Sequence, residues 1–148
     1  SGFMGRLSQA DREAVDEAIE AVGLCHKRHA FAASLSDGER QKAMIARAMA
    51  QATGVMVLDE PTSFLDVAAR HEIMHLLSEI AARGTAVLLS THDIAPAMAV
   101  ASDVWAISEG TLVAGARDSI IASGCLDKVY PGMIFDADRL DFRPAADS

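Results

Sequence analysis

The chain has 148 residues, 51% of them hydrophobic but only 5% aromatic, and a formal net charge of -8. That length suits one domain with an aliphatic core, and the composition excludes an intrinsically disordered chain. An acidic balance with no basic tract argues against non-specific nucleic-acid binding.

Cys25 and Cys125 lie far apart and form no CxxC pair, so both read as reduced thiols rather than a disulfide framework or a zinc site. The start, "SGFMGRLSQADREA", is polar and acidic, unlike a signal peptide. No apolar run approaches the ~20 residues that a membrane span needs.

In chain order, Ser8 and Asp11 resemble a capping box. Val15, Ala18, Ile19 and Val22 then follow at helical spacing up to Gly23. "LCHKRHAFAAS" is irregular. Ser36 and Glu39 form a second capping box, opening the predicted helix "DGERQKAMIARAMAQ". "GVMVLD" is a short aliphatic run whose β-branched content predicts a strand buried on both faces, as in parallel sheets.

A helix over "VAARHEIMHLLSEIAARG" follows, with Ile73, Leu76, Leu77 and Ile80 as its core face. "TAVLLSTHD" predicts a second buried strand and "IAPAMAVAS" a short helix. "DVWAISEGTLVAG" predicts two strands about a Glu109-Gly110 turn. Strand and helix alternate, which implies an α/β fold with right-handed crossovers. "ARDSIIASG" reads as a short helix, and the tail from Cys125 carries no functional signal.

Four features stand in order: "LSDGERQ" at 35–41, "VMVLDE" at 55–60, "SFLD" at 63–66 and "STHD" at 90–93. Each alone has a structural explanation as a helix cap, a strand end or a loop entry. Their joint order and spacing closely resemble the ATP-binding cassette (ABC) family of transporter ATPases. "LSDGERQ" is similar to that family's signature motif, "VMVLDEP" to its Walker B strand, "SFLD" to its D-loop and "THD" to its H-loop. The resemblance runs from about Ser8 to Gly115.

It implies a P-loop NTPase α/β fold, incomplete here, with a parallel sheet flanked by helices. It also implies ATP and Mg²⁺ as cofactors. Asp59 would hold the metal, which prefers hard oxygen ligands, and Glu60 would act as general base on the attacking water. His92 would be the switch histidine at the γ-phosphate. Ser36, Gly38 and Glu39 would present a helix N-terminus to phosphate, and Asp66 would lie at the contact between two cassettes.

The partners implied are a second cassette, as a homodimer, and transmembrane permease subunits. The location implied is peripheral, at the cytoplasmic face of the membrane. The expected division is 1–34 as part of a helical subdomain, 35–115 as the motif-bearing core and 116–148 as an extension of unknown role. "ADREAVDEAIEAVGL" resembles importers of iron-siderophore, haem or cobalamin complexes.

The sequence departs from the family pattern at two signature positions, where Asp37 replaces a glycine and Glu39 a glutamine. Asp37 brings negative charge toward a phosphate and is expected to weaken binding unless it points away. No GxxxxGK[ST] phosphate cradle occurs in these residues. The segment alone is therefore expected to bind ATP poorly, and its open parallel sheet edge to promote association.

Two other readings compete. "HEIMH" at 71–75 matches HEXXH, with His71 and His75 as zinc ligands and Glu72 as base. No third ligand follows, and amphipathic helix filler explains it better. A non-transport ABC ATPase keeps the fold and changes the task, although such proteins usually carry coiled-coil insertions or paired cassettes.

Overall fold

A computed structural model describes residues 8–145, which sort into two units: one runs to Ser90 and the other starts at Thr91. In the first unit, helix α1 (Gln9–Ala21) starts at the predicted Ser8–Asp11 capping box. The stretch after it contains two short 3₁₀ turns, Cys25–Lys27 and Ala32–Ser34, and Arg28 pairs with Asp16 of α1. Helix α2 (Asp37–Met49) opens at Ser36 and packs against α1.

Strand β1 (Val55–Asp59), helix α3 (Val67–Ala82) and strand β2 (Ala86–Ser90) form a β-α-β unit. The two strands pair in parallel, in register from Val55 opposite Ala86 to Asp59 opposite Ser90. A parallel pair needs such a crossover, and α3 supplies it while packing on both β2 and α2. Ile45 and Ile73 are fully buried, and Leu76, Leu77 and Ile80 join them as the predicted face of α3.

One expectation is corrected here. Neither strand is buried on both faces: in β1 Met56 is covered whereas Val55 and Val57 remain 55% and 70% exposed, and β2 has no fully buried residue, with Leu88 40% exposed. Among the described residues this sheet is only two strands wide, and its covered side is the one carrying Met56.

The second unit starts with helix α4 (Ile94–Val100). Strands β3 (Asp103–Ser108) and β4 (Thr111–Ala116) form an antiparallel hairpin. Glu109 and Gly110 both have positive φ, 49° and 77°, as a tight two-residue hairpin turn requires. Helix α5 (Arg117–Ala122) follows.

The tail is more ordered than its sequence suggests. A 3₁₀ turn (Cys125–Lys128) leads to a second hairpin, β5 (Met133–Asp136) with β6 (Asp141–Pro144). The Asp136 carboxylate accepts the backbone N–H groups of Asp138 and Arg139, closing the turn, and pairs with Arg143 across the strands. Tyr130 and Phe135 each meet Phe142 in a T-shaped arrangement, with ring centroids 4.8 and 5.2 Å away. Met98, Ile120 and Leu126 form the buried centre of this unit, with Phe135, Leu140 and Phe142 against it.

Ile73→Ala removes three buried carbons where no solvent reaches. We expect it to destabilise the chain by about 2–5 kcal/mol, read as a lower urea midpoint at unchanged slope.

Candidate functional site

β1 and β2 end side by side, and Ser90 ties the two ends together. Its hydroxyl donates to Asp59 Oδ1 at 2.5 Å, and its carbonyl accepts the Glu60 backbone N–H at 3.0 Å. Asp59 is exposed and Glu60 half-buried. In parallel sheets, ligands bind outside the carboxyl ends of the strands, and both acids stand there. The exposed Asp59 carboxylate, held by the Ser90 hydroxyl, is a hard oxygen donor of the kind that suits magnesium.

The loop after β1 holds a costly shape. Glu60 has φ 47° and Phe64 φ 66°, both in the left-handed region that non-glycine residues avoid at about 1–2 kcal/mol each. Two tight turns enforce it: the Ser63 N–H donates to the Glu60 carbonyl at 3.1 Å, and the Leu65 N–H to the Thr62 carbonyl at 3.2 Å. Pro61, Thr62 and Leu65 are buried beneath, while Phe64 is 96% exposed. The Ser63 hydroxyl also donates to Glu60 Oε2 at 3.3 Å. Backbone strain of this kind persists only where its surroundings fix it, and it clusters at functional sites.

Ser36 and Glu39 close the second capping box. Ser36 Oγ accepts the Glu39 N–H at 3.2 Å, and Glu39 Oε2 accepts the Ser36 N–H at 2.9 Å. That backbone donor, aided by the Lys27 ammonium 3.5 Å from Oε1, holds the Glu39 carboxyl below its ordinary value. Asp37 is engaged as well, since Arg40 Nη1 donates to its Oδ1 at 3.2 Å and so offsets its charge locally. Gly38 lies against α3: a Cβ placed there would come 3.3 Å from Ala69 Cβ, tighter than ordinary contact. Its small size therefore serves helix packing.

Asp66 caps α3, its carboxylate accepting the Ala69 N–H at 2.8 Å. Arg70 Nε donates to the Leu65 carbonyl at 2.9 Å and pins the same corner. His92 belongs to the second unit. It is exposed, in a turn where the Asp93 N–H donates to Thr91 Oγ1 at 2.9 Å.

The HEXXH residues lie in the first unit, along a shallow cleft of about 550 Å³ beside α1 and α2. Glu72 is bound by Lys42 at 2.7 Å, and His75 Nδ1 stands 3.5 Å from Glu79. Among the described residues no three His, Cys, Asp or Glu side chains are grouped as a metal ion would need. Sequence reasoning gave no part to Ser90 or Arg40. Ser90 opens the "STHD" stretch, directly opposite Asp59 in register, and that register was its only available signal.

Residues 27–95 match a family model described as "AAA domain, putative AbiEii toxin, Type IV TA system". The chain is 37% identical over 127 residues to the ferric enterobactin transport ATP-binding protein FepC of Escherichia coli (strain K12), covering 84% of this chain and 47% of that protein. It is 37% identical over 114 residues to the iron(3+)-hydroxamate import ATP-binding protein FhuC of Bacillus subtilis (strain 168), covering 76% and 42%. A solved structure described as "An inward-facing conformation of a putative metal-chelate type ABC transporter" superposes with a TM-score of 0.83 at 25% identity, over 97% of this chain and 61% of that one.

The chain belongs to the ABC ATPase family. Its fold is accordingly the P-loop NTPase type, an α/β arrangement with a parallel sheet and flanking helices. This ABC chain spans about half the length of the curated relatives it matches. Among its described residues no helix is long and apolar enough to cross a membrane.

Two outcomes follow for the start of α2 in this ABC chain. Ser36→Ala removes an N-cap acceptor and is expected to cost about 1 kcal/mol in a denaturant melt. Glu39 should titrate below 4.5 in a carboxyl NMR experiment. Because its folded value is depressed, its contribution to stability is complete above 4.5 and is lost as pH falls through the lower folded value. A midpoint at or above 4.5 would remove this account of the box.

Proposed function

We propose that the complete protein carrying this chain is the ATP-hydrolysing subunit of an ABC importer. The observation that carries the reading is the pair Asp59 and Glu60, latched by Ser90 at the carboxyl end of a parallel strand. Asp59 would hold magnesium, with the Ser90 hydroxyl fixing its carboxylate. Magnesium, when bound, neutralises charge on the phosphate oxygens.

Glu60 is the general base. Its backbone is pinned to Ser90 and its carboxylate receives Ser63, so it is oriented before any water arrives. Ser36 spends its oxygen on the Glu39 N–H, and its hydroxyl proton is the group it offers to a phosphate. Gly38 and Glu39 complete that helix start. Arg40 keeps Asp37 compatible with an anion nearby. His92 contacts the γ-phosphate, and Asp66 lies where two cassettes meet. The division into a helical subdomain over 1–34, a motif core over 35–115 and an extension over 116–148 is part of the same reading.

The partners are a second copy of the cassette and membrane permease subunits, with the protein peripheral at the cytoplasmic face. Two relatives are named for ferric enterobactin and iron(3+)-hydroxamate, and this supports a chelated metal ion as cargo.

Glu60→Gln in the full-length protein, assembled with its permease in proteoliposomes, should lower ATP hydrolysis by about 10²-fold or more while Mg-ATP still binds. Activity within twofold of wild type would defeat the assignment. The 148-residue chain alone should show negligible Mg-ATP binding by calorimetry, and tight binding would contradict the division of labour proposed.

A further inference from the structure

We propose that Arg117 is a positioning residue: together with the C-terminal hairpin it holds α4, and through α4 it fixes the conformation of the His92 turn on which hydrolysis depends. The inference rests on the proposed role of His92 and assigns a task to the extension after Gly115.

The need arises from α4 itself. Seven residues are too few for a helix to persist alone in water. Pro96 sits in its first turn, where the missing N–H costs no helical bond but adds no strength. The placement of α4 must therefore come from what packs on it.

Two contacts supply that placement within the second unit. Met98 is buried with Ile120 and Leu126, and Ile94, one turn earlier on the same side, packs on the same cluster as Leu140 and Phe142 of the hairpin region. Strand β6 itself lies against α4. At the other end, Arg117 Nη1 donates to the Met98 carbonyl at 3.1 Å, and the Arg117 backbone N–H donates to the Ser102 carbonyl at 2.9 Å. The last carbonyls of a helix lack intrahelical donors and favour a cation, and the guanidinium meets both requirements.

Asp118 accepts from Arg117 Nε at 2.9 Å and steadies the fork. The hairpin is in turn braced by the Asp127 carboxylate, which accepts the Phe135 N–H at 2.7 Å, and the 3₁₀ turn before it is tied to β3 by Ser108, whose hydroxyl donates to the Lys128 carbonyl at 2.6 Å. Ile94 follows His92 by two residues, so what fixes Ile94 and Met98 fixes the exit of the His92 turn.

The test compares full-length wild type, Arg117→Ala, Arg117→Lys and Glu60→Gln by backbone hydrogen exchange and by ATPase kinetics. Arg117→Ala should quicken exchange at the Ala97 and Ala101 amides by roughly tenfold and lower kcat several-fold, with KM for ATP within twofold. Arg117→Lys, which keeps a cation, should fall between it and wild type. Glu60→Gln should lose hydrolysis with α4 exchange unchanged. If Arg117→Ala fails to fold, Phe142→Leu should reproduce the same exchange and kcat pattern.

Unchanged exchange in α4, equal quickening in α2 and α3, or normal kcat despite a loosened α4 would each overturn the proposal. A full-length wild type that hydrolyses no ATP overturns the proposed function instead, and exchange then still reports whether Arg117 holds α4.

Discussion

Ser90 binds the end of β1 through two groups at once, its hydroxyl to the Asp59 carboxylate and its carbonyl to the Glu60 N–H. That latch exists because β1 and β2 run parallel in a register that sets Asp59 opposite Ser90. The crossover helix α3 makes the parallel pairing possible, and its buried face of Ile73, Leu77 and Ile80 holds the pair in place. The positive φ of Glu60 follows from the same constraint, since the chain must leave the strand, pass a proline and turn within a few residues. A strained backbone and two immobilised acids are thus consequences of one local pairing.

Four of the motif residues have folding work as well. Ser36 and Glu39 start a helix, Asp66 starts another, and Gly38 lets α2 approach Ala69. A loss of activity on substituting any of these four reports stability and chemistry together. Asp59 and Glu60 differ, because neither caps a helix and Asp59 is exposed to solvent. The bonds from Ser90 are their structural ties. The same reasoning gives Arg117 its interest: it lies outside every motif, yet it secures the helix that follows His92.

Much of this was legible in the sequence. Both capping boxes, the Glu109-Gly110 turn and the core face of α3 are local signals, written in residues a few positions apart, and the structure carries each of them. The burial expected of β1 and β2 does not hold because an aliphatic run shows what could be covered, not how many strands lie beside it. Ser90 and Arg40 escaped notice since their partners are set by register and by side-chain reach. The second hairpin is not legible in the sequence because its order depends on an aspartate turn and on T-shaped aromatic contacts with Phe142, which no periodicity announces.

The central claim is that Asp59 holds the nucleotide's metal. Electron paramagnetic resonance of Mn²⁺ with ATP and the full-length protein tests it directly, comparing wild type with Asp59→Asn. The account predicts a protein-bound manganese signal in wild type that disappears in Asp59→Asn while thermal stability is retained. An identical bound signal in both proteins would contradict it.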